Sequence, residues 1–85
     1  MAKHTLRESL KLAEKARKIF KDKGYYYEIG TLQGRVSVEI IWGDWKHDHS
    51  FVDYVMRNDL GLKKVDETIT EEDGSDTYSS IHYFE

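Results

Sequence analysis

YYYEIGTLQGRVSVEIIW, residues 25–42, is the stretch that decides the fold. Both halves are rich in aromatic and β-branched residues, and Gln33-Gly34 between them reads as a two-residue turn. Such a turn pairs Tyr25 with Trp42, Tyr27 with Ile40, Ile29 with Val38 and Thr31 with Val36 on one face. That face is apolar and reads as the core side. The opposite face carries Tyr26/Ile41, Glu28/Glu39 and Leu32/Arg35. A slip of one residue would bury the two glutamates, so the alternation itself fixes the register.

Upstream, Thr5-Leu6-Arg7-Glu8 has the spacing of a capping box, and no helix breaker follows until Gly24. A helix over 6–23 places Leu6, Leu10, Leu12, Ala13, Ala16, Ile19 and Phe20 on one half of the wheel. Downstream, residues 43–50 read as a polar loop, with Asp48 or Ser50 capping a second helix. Phe51, Val52, Val55 and Met56 supply its buried stripe, it ends near Asn58, and Gly61 serves the turn. Residues 62–70 and 77–84 then form a second hairpin around Asp73-Gly74. Pairing Glu72 with Ser75 would set Val65 against His82 and Lys63 against Phe84.

The order is therefore α-β-β-α-β-β within a single domain, 1–85. The expected fold class is α+β, a two-layer sandwich with two helices on one face of a four-stranded antiparallel sheet. By topology alone this is the element order of a circularly permuted ferredoxin-like sandwich.

The 85 residues contain no Cys, which excludes a disulfide framework, a thiolate nucleophile and a cysteine-ligated metal cluster. Apolar runs such as residues 40–42 are far too short to span a membrane, and the expected location is the cytoplasm. There is no Gly-x-Ser-x-Gly elbow and no glycine-rich phosphate loop, so no enzymatic activity is expected. Asp44, His47, Asp48 and His49, with His82 from the last strand, have the residue types of a transition-metal site. Loop histidines beside capping aspartates account for the same residues, so neither a metal nor a cofactor is assigned. Glu71, Glu72, Asp73 and Asp76 lack the spacing of a calcium loop and read as a solvated turn.

Charge gives the functional expectation. Residues 1–38 carry nine Lys/Arg against four Asp/Glu, a balance of +5, while residues 39–85 carry four against twelve, a balance of -8. Carboxylates interleaved with aromatics suit a protein-binding surface. The residues expected to form it are Trp42, Asp44, Trp45, Asp66, Glu67, Glu71, Glu72, Asp73 and Asp76. Small carboxylate-rich inhibitors of restriction or CRISPR nucleases, of phage or mobile-element type, share this size and charge. The expected partner is accordingly a protein, with a nuclease or other nucleic-acid-binding protein as the concrete case. The alternative is a nucleic-acid-binding module using the basic face of the first helix, Arg7, Lys11, Lys15, Lys18 and Lys21.

Overall fold

The computed structural model describes residues 4–41, 45–71 and 78–85, without the side chains of residues 45, 46, 70, 71 and 78. Its elements are α1 (Leu6–Asp22), β1 (Glu28–Leu32), β2 (Arg35–Ile41), α2 (Trp45–Leu60), β3 (Lys64–Glu71) and β4 (Tyr78–Phe84). The strands form one antiparallel sheet in the order β1-β2-β4-β3, and the helices pack on one face of it. This is also the strand order of a ferredoxin-like sheet whose first strand has been moved to the end.

Helix α1 begins with the capping box. Glu8 N–H donates to Thr5 Oγ1 at 3.1 Å, and Thr5 N–H donates to Glu8 Oε1 at 2.9 Å. It ends at Gly24, where φ of +89° lets the Tyr25 N–H reach the Phe20 carbonyl at 2.8 Å. The buried stripe of α1 is Ser9, Ala13, Ala16 and Phe20, narrower than the wheel suggests. Leu6 and Leu10, expected on that stripe, are 67 % and 50 % exposed. They lie on its flank, where small Ser9 and Ala13 bring the helix against the sheet.

The first hairpin has the expected register, Leu32 against Arg35 through Glu28 against Glu39. Its ladder begins at Glu28, so the proposed Tyr25–Trp42 and Tyr27–Ile40 pairs are not part of it, and Trp42 lies outside the described residues. Gln33 and Gly34 both have positive φ, +51° and +79°, which a tight hairpin turn requires. Val36, Val38 and Ile40 of β2 meet Ala13, Ala16, Phe20, Val52, Val55 and Met56 in the core, with Phe84 from β4. Phe20 packs edge-to-face on Tyr27 and on Phe51, with centroids 5.2 and 5.9 Å apart.

Two expectations are corrected. The second helix starts at Trp45 and runs through His47, Asp48, His49 and Ser50, so these residues are neither loop nor caps. Asp48 sits in the first turn and is buried, where its Oδ1 accepts the Tyr27 hydroxyl at 3.0 Å. Within this polar run His47 and Ser50 are exposed, while Asp48 meets Tyr27 and His49 meets Glu67 and His82 of the sheet.

The second hairpin also departs from the expected register. Lys64 faces Phe84, but from Asp66 onward the pairing shifts, giving Asp66 against Tyr83 and Glu67 against His82. Val65 is the extra residue of a β-bulge. The expected turn at Asp73-Gly74 lies outside the described residues.

Phe20 is fully buried, and Phe20→Ala should cost about 3–5 kcal/mol through the cavity it leaves. A urea melt of that variant checks this. Replacing Gln33 by Asn, which tolerates positive φ better, should raise stability by up to about 1 kcal/mol in the same assay.

Candidate functional site: a polar cluster beneath the second helix

Side chains on a strand alternate between faces, so residues three apart normally point to opposite sides. The bulge at Val65 breaks that rule for Lys64 and Glu67. Both reach the helix-covered side, where His82 of β4 stands directly opposite Glu67 and His49 descends from α2. A regular ladder that paired Val65 with Tyr83 would instead place Asp66, with its shorter side chain, opposite His82.

The resulting cluster is tightly connected. His49 Nε2 lies 3.3 Å from Glu67 Oε2 and 2.8 Å from Lys64 Nζ. Its other nitrogen, Nδ1, is 3.5 Å from Asp53 Oδ2, one turn along α2. The Lys64 ammonium is also 3.6 Å from Glu67 Oε1 and 3.8 Å from Asp53 Oδ2. His82 Nδ1 is 3.7 Å from Glu67 Oε2, and His82 Nε2 is 2.9 Å from Ser80 Oγ. The His49 and His82 rings meet at 90° with centroids 4.5 Å apart.

Burial grades the cluster from dry to wet. His82 and Ser80 have no exposed surface, while Glu67 opens to solvent. Among the described residues, the buried side-chain polar atoms without a hydrogen bond are His82 Nδ1 and Asp53 Oδ1, both in this cluster. Burial holds the His82 pKa below its ordinary value, and the neighbouring His49 and Lys64 push the same way against Glu67 and Asp53. Burial would raise the Glu67 carboxyl, but Lys64, His49 and His82 together hold it below its usual range. One ligand atom from each of His49, Glu67 and His82 lies within 4.8 Å of the others, a spacing that a metal ion can bridge.

The sequence reading placed His49 and His82 among possible ligands but did not bring Glu67 to them. Glu67, expected on a partner-binding surface, is tied into this cluster and is exposed, as is Asp66. Asp44, Glu72, Asp73 and Asp76 lie outside the described residues. So do the side chains of Trp45 and Glu71. His47 stacks on Phe51 at 6.2 Å, away from His49 on the helix. Arg7, Lys11, Lys15, Lys18 and Lys21 are exposed along α1, as expected. Neighbouring Arg17 differs, since it donates through Nε and Nη2 to the Ile29 carbonyl on the β1 edge, at 3.1 and 2.8 Å.

No helix among the described residues is long and apolar enough to cross a membrane. Compared with protein-family models, curated proteins and solved structures, the chain matches none.

Because the folded-state His82 pKa lies below 6.5, the unfolded chain binds more protons in the window between the two values. Stability contributed by neutral His82 is therefore present above pH 6.5 and lost as pH falls below it. Glu67 acts separately, since its contribution disappears only below the ordinary carboxylate range. In chelator-containing buffer the urea midpoint should fall between pH 7.5 and 5.5, and His82→Gln should flatten that slope. An unchanged slope in the variant would assign the effect to another group.

Proposed function

We propose that this is a non-enzymatic domain that binds a partner protein through the acidic half of the chain. The observation that carries the reading is the β3 edge. It borders the sheet, and residues 66–69 along it are exposed, with Ile69 at 49 %. An edge strand offers backbone hydrogen bonds to an extended partner segment, and flanking side chains select it. Here Asp66 is exposed on the edge and the sequence continues acidic through Glu71, Glu72, Asp73 and Asp76, so the fitting segment is basic. The opposite edge differs, because Arg17 already engages the Ile29 carbonyl of β1.

In its concrete form the domain is a cytoplasmic inhibitor that occupies the nucleic-acid groove of a nuclease or related protein. Trp42, Asp44 and Trp45 would add aromatic and acidic contacts. A second reading keeps support from one observation. Lys11, Lys15 and Lys18 surround a shallow depression with Leu12 and Glu14, a cationic stripe suited to phosphates.

Asp66→Lys should leave the fold intact, since an exposed charge contributes only about 0–1 kcal/mol. Surface plasmon resonance against a partner captured from nuclease-treated lysate should show weaker binding, mainly through slower association. Fluorescence anisotropy with labelled DNA and RNA should show no binding by the wild type at physiological salt. Binding there that Lys11→Glu with Lys15→Glu abolishes would replace this reading with the nucleic-acid one.

A further inference from the structure

We propose that His49, Glu67 and His82 form a site for a divalent transition-metal ion of the zinc type. The ligand atoms would be His49 Nε2, a Glu67 carboxylate oxygen and His82 Nδ1. The ion would tie α2, β3 and β4 together. Two imidazoles and one carboxylate form a set that zinc uses with a fourth position left to solvent. Both separations from Glu67 are close to those a zinc ion sets, and the three ligand atoms lie within 4.8 Å of one another. Zinc bonds of about 2.0–2.1 Å in a tetrahedron place neighbouring ligand atoms about 3.3–3.4 Å apart. Glu67 Oε2 is 3.3 Å from His49 Nε2 and 3.7 Å from His82 Nδ1.

The surroundings prepare both imidazoles. Metal-bound histidines characteristically have their other ring nitrogen held by an oxygen, which sets the tautomer. Ser80 Oγ lies 2.9 Å from His82 Nε2, and a hydrogen bond donated by that nitrogen leaves Nδ1 as a bare lone pair. That Nδ1 is fully buried, turned toward Glu67 and without a hydrogen bond. Buried polar atoms in native proteins are rarely left so. Asp53 Oδ2 holds the corresponding place beside His49 Nδ1, at 3.5 Å.

Lys64 supplies a second, independent sign that the cluster attracts cations. Its ammonium sits 2.8 Å from His49 Nε2, within 4 Å of both Glu67 and Asp53. In the metal-free chain this ammonium neutralises the carboxylates. Its four-carbon stem lets it swing into solvent when a dication takes the ligands. Glu67 is the most exposed of the three ligands, so the ion enters from its side.

The test is a titration of the tag-free chain with Co2+, followed by d–d absorption, and of Zn2+ by competition against a chromophoric chelator at pH 7.5. The expected result is one ion per chain with a tetrahedral cobalt spectrum, and a rise in melting temperature with zinc. A hundredfold excess over Kd should raise the folded-to-unfolded ratio about a hundredfold. His49→Gln and Glu67→Gln should each weaken binding by about 100-fold or more, while remaining folded by circular dichroism. Lys64→Gln should tighten it about tenfold, because a competing positive charge is removed. His47→Gln, outside the cluster, should leave it unchanged. The proposal is overturned if neither wild type nor Lys64→Gln binds zinc at 100-micromolar protein, a concentration of about 10⁻⁴ M that detects even weak sites. It is equally overturned if binding survives His49→Gln and Glu67→Gln, or disappears with His47→Gln.

Discussion

One extra residue in β3 sets the polar end of this molecule. Val65 occupies a bulge, and the bulge turns Lys64 and Glu67 to the same side of the sheet. That side is covered by α2, and across the ladder it holds His82 and Ser80 with no exposure at all. A buried imidazole in an apolar layer would be costly. The serine beside Nε2 and the second imidazole packed edge-on above the ring make that placement tolerable for a neutral His82. Helix α2 meets this strip with His49 and Asp53, one turn apart on the same face.

The helix-covered layer therefore has two chemistries. Toward the β1–β2 hairpin it is aromatic and dry, with Phe20 between Tyr27 and Phe51 and with Tyr25 stacked on Tyr27. Toward β3 it is ionic, with His49, Asp53 and Glu67 around Lys64. Tyr27 joins the two, since its ring belongs to the aromatic group and its hydroxyl donates to Asp48 of α2. Burial, then the Asp48 carboxylate, pushes the Tyr27 pKa upward, so the phenol stays protonated as a donor. The helix-covered side thus contains a cation-attracting pocket, while Asp66 on the β3 edge is exposed.

The legible parts of the fold were those in which each residue speaks for itself. The first hairpin alternates apolar and polar residues without a break, and Gln33-Gly34 supplies the turn, so its register is written in residues 28–39. The capping box and Gly24 mark α1 equally well. What was illegible depended on partners far along the chain. His47-Asp48-His49-Ser50 looks like a solvated loop until the buried Ser80 and His82 are known to lie near it. The second hairpin reads two residues out of register because Asp73-Gly74 outweighs every other signal, and the bulge, which leaves no compositional mark, cuts the error to one residue at Lys64. His49 and His82 were visible as candidate ligands, but Glu67 was not, since only the bulge brings it opposite His82.

The claim on which the rest turns is that His82 is neutral, donates through Nε2 to Ser80 and aims a bare Nδ1 at Glu67. Long-range 1H–15N correlation spectra of the imidazoles, recorded without metal at pH 7.5, report this directly. The account predicts one histidine locked as the Nε2–H tautomer, with a pyridine-like Nδ1 and slow exchange of its ring proton. A His82 protonated on Nδ1, or a doubly protonated imidazolium paired with Glu67, would contradict it.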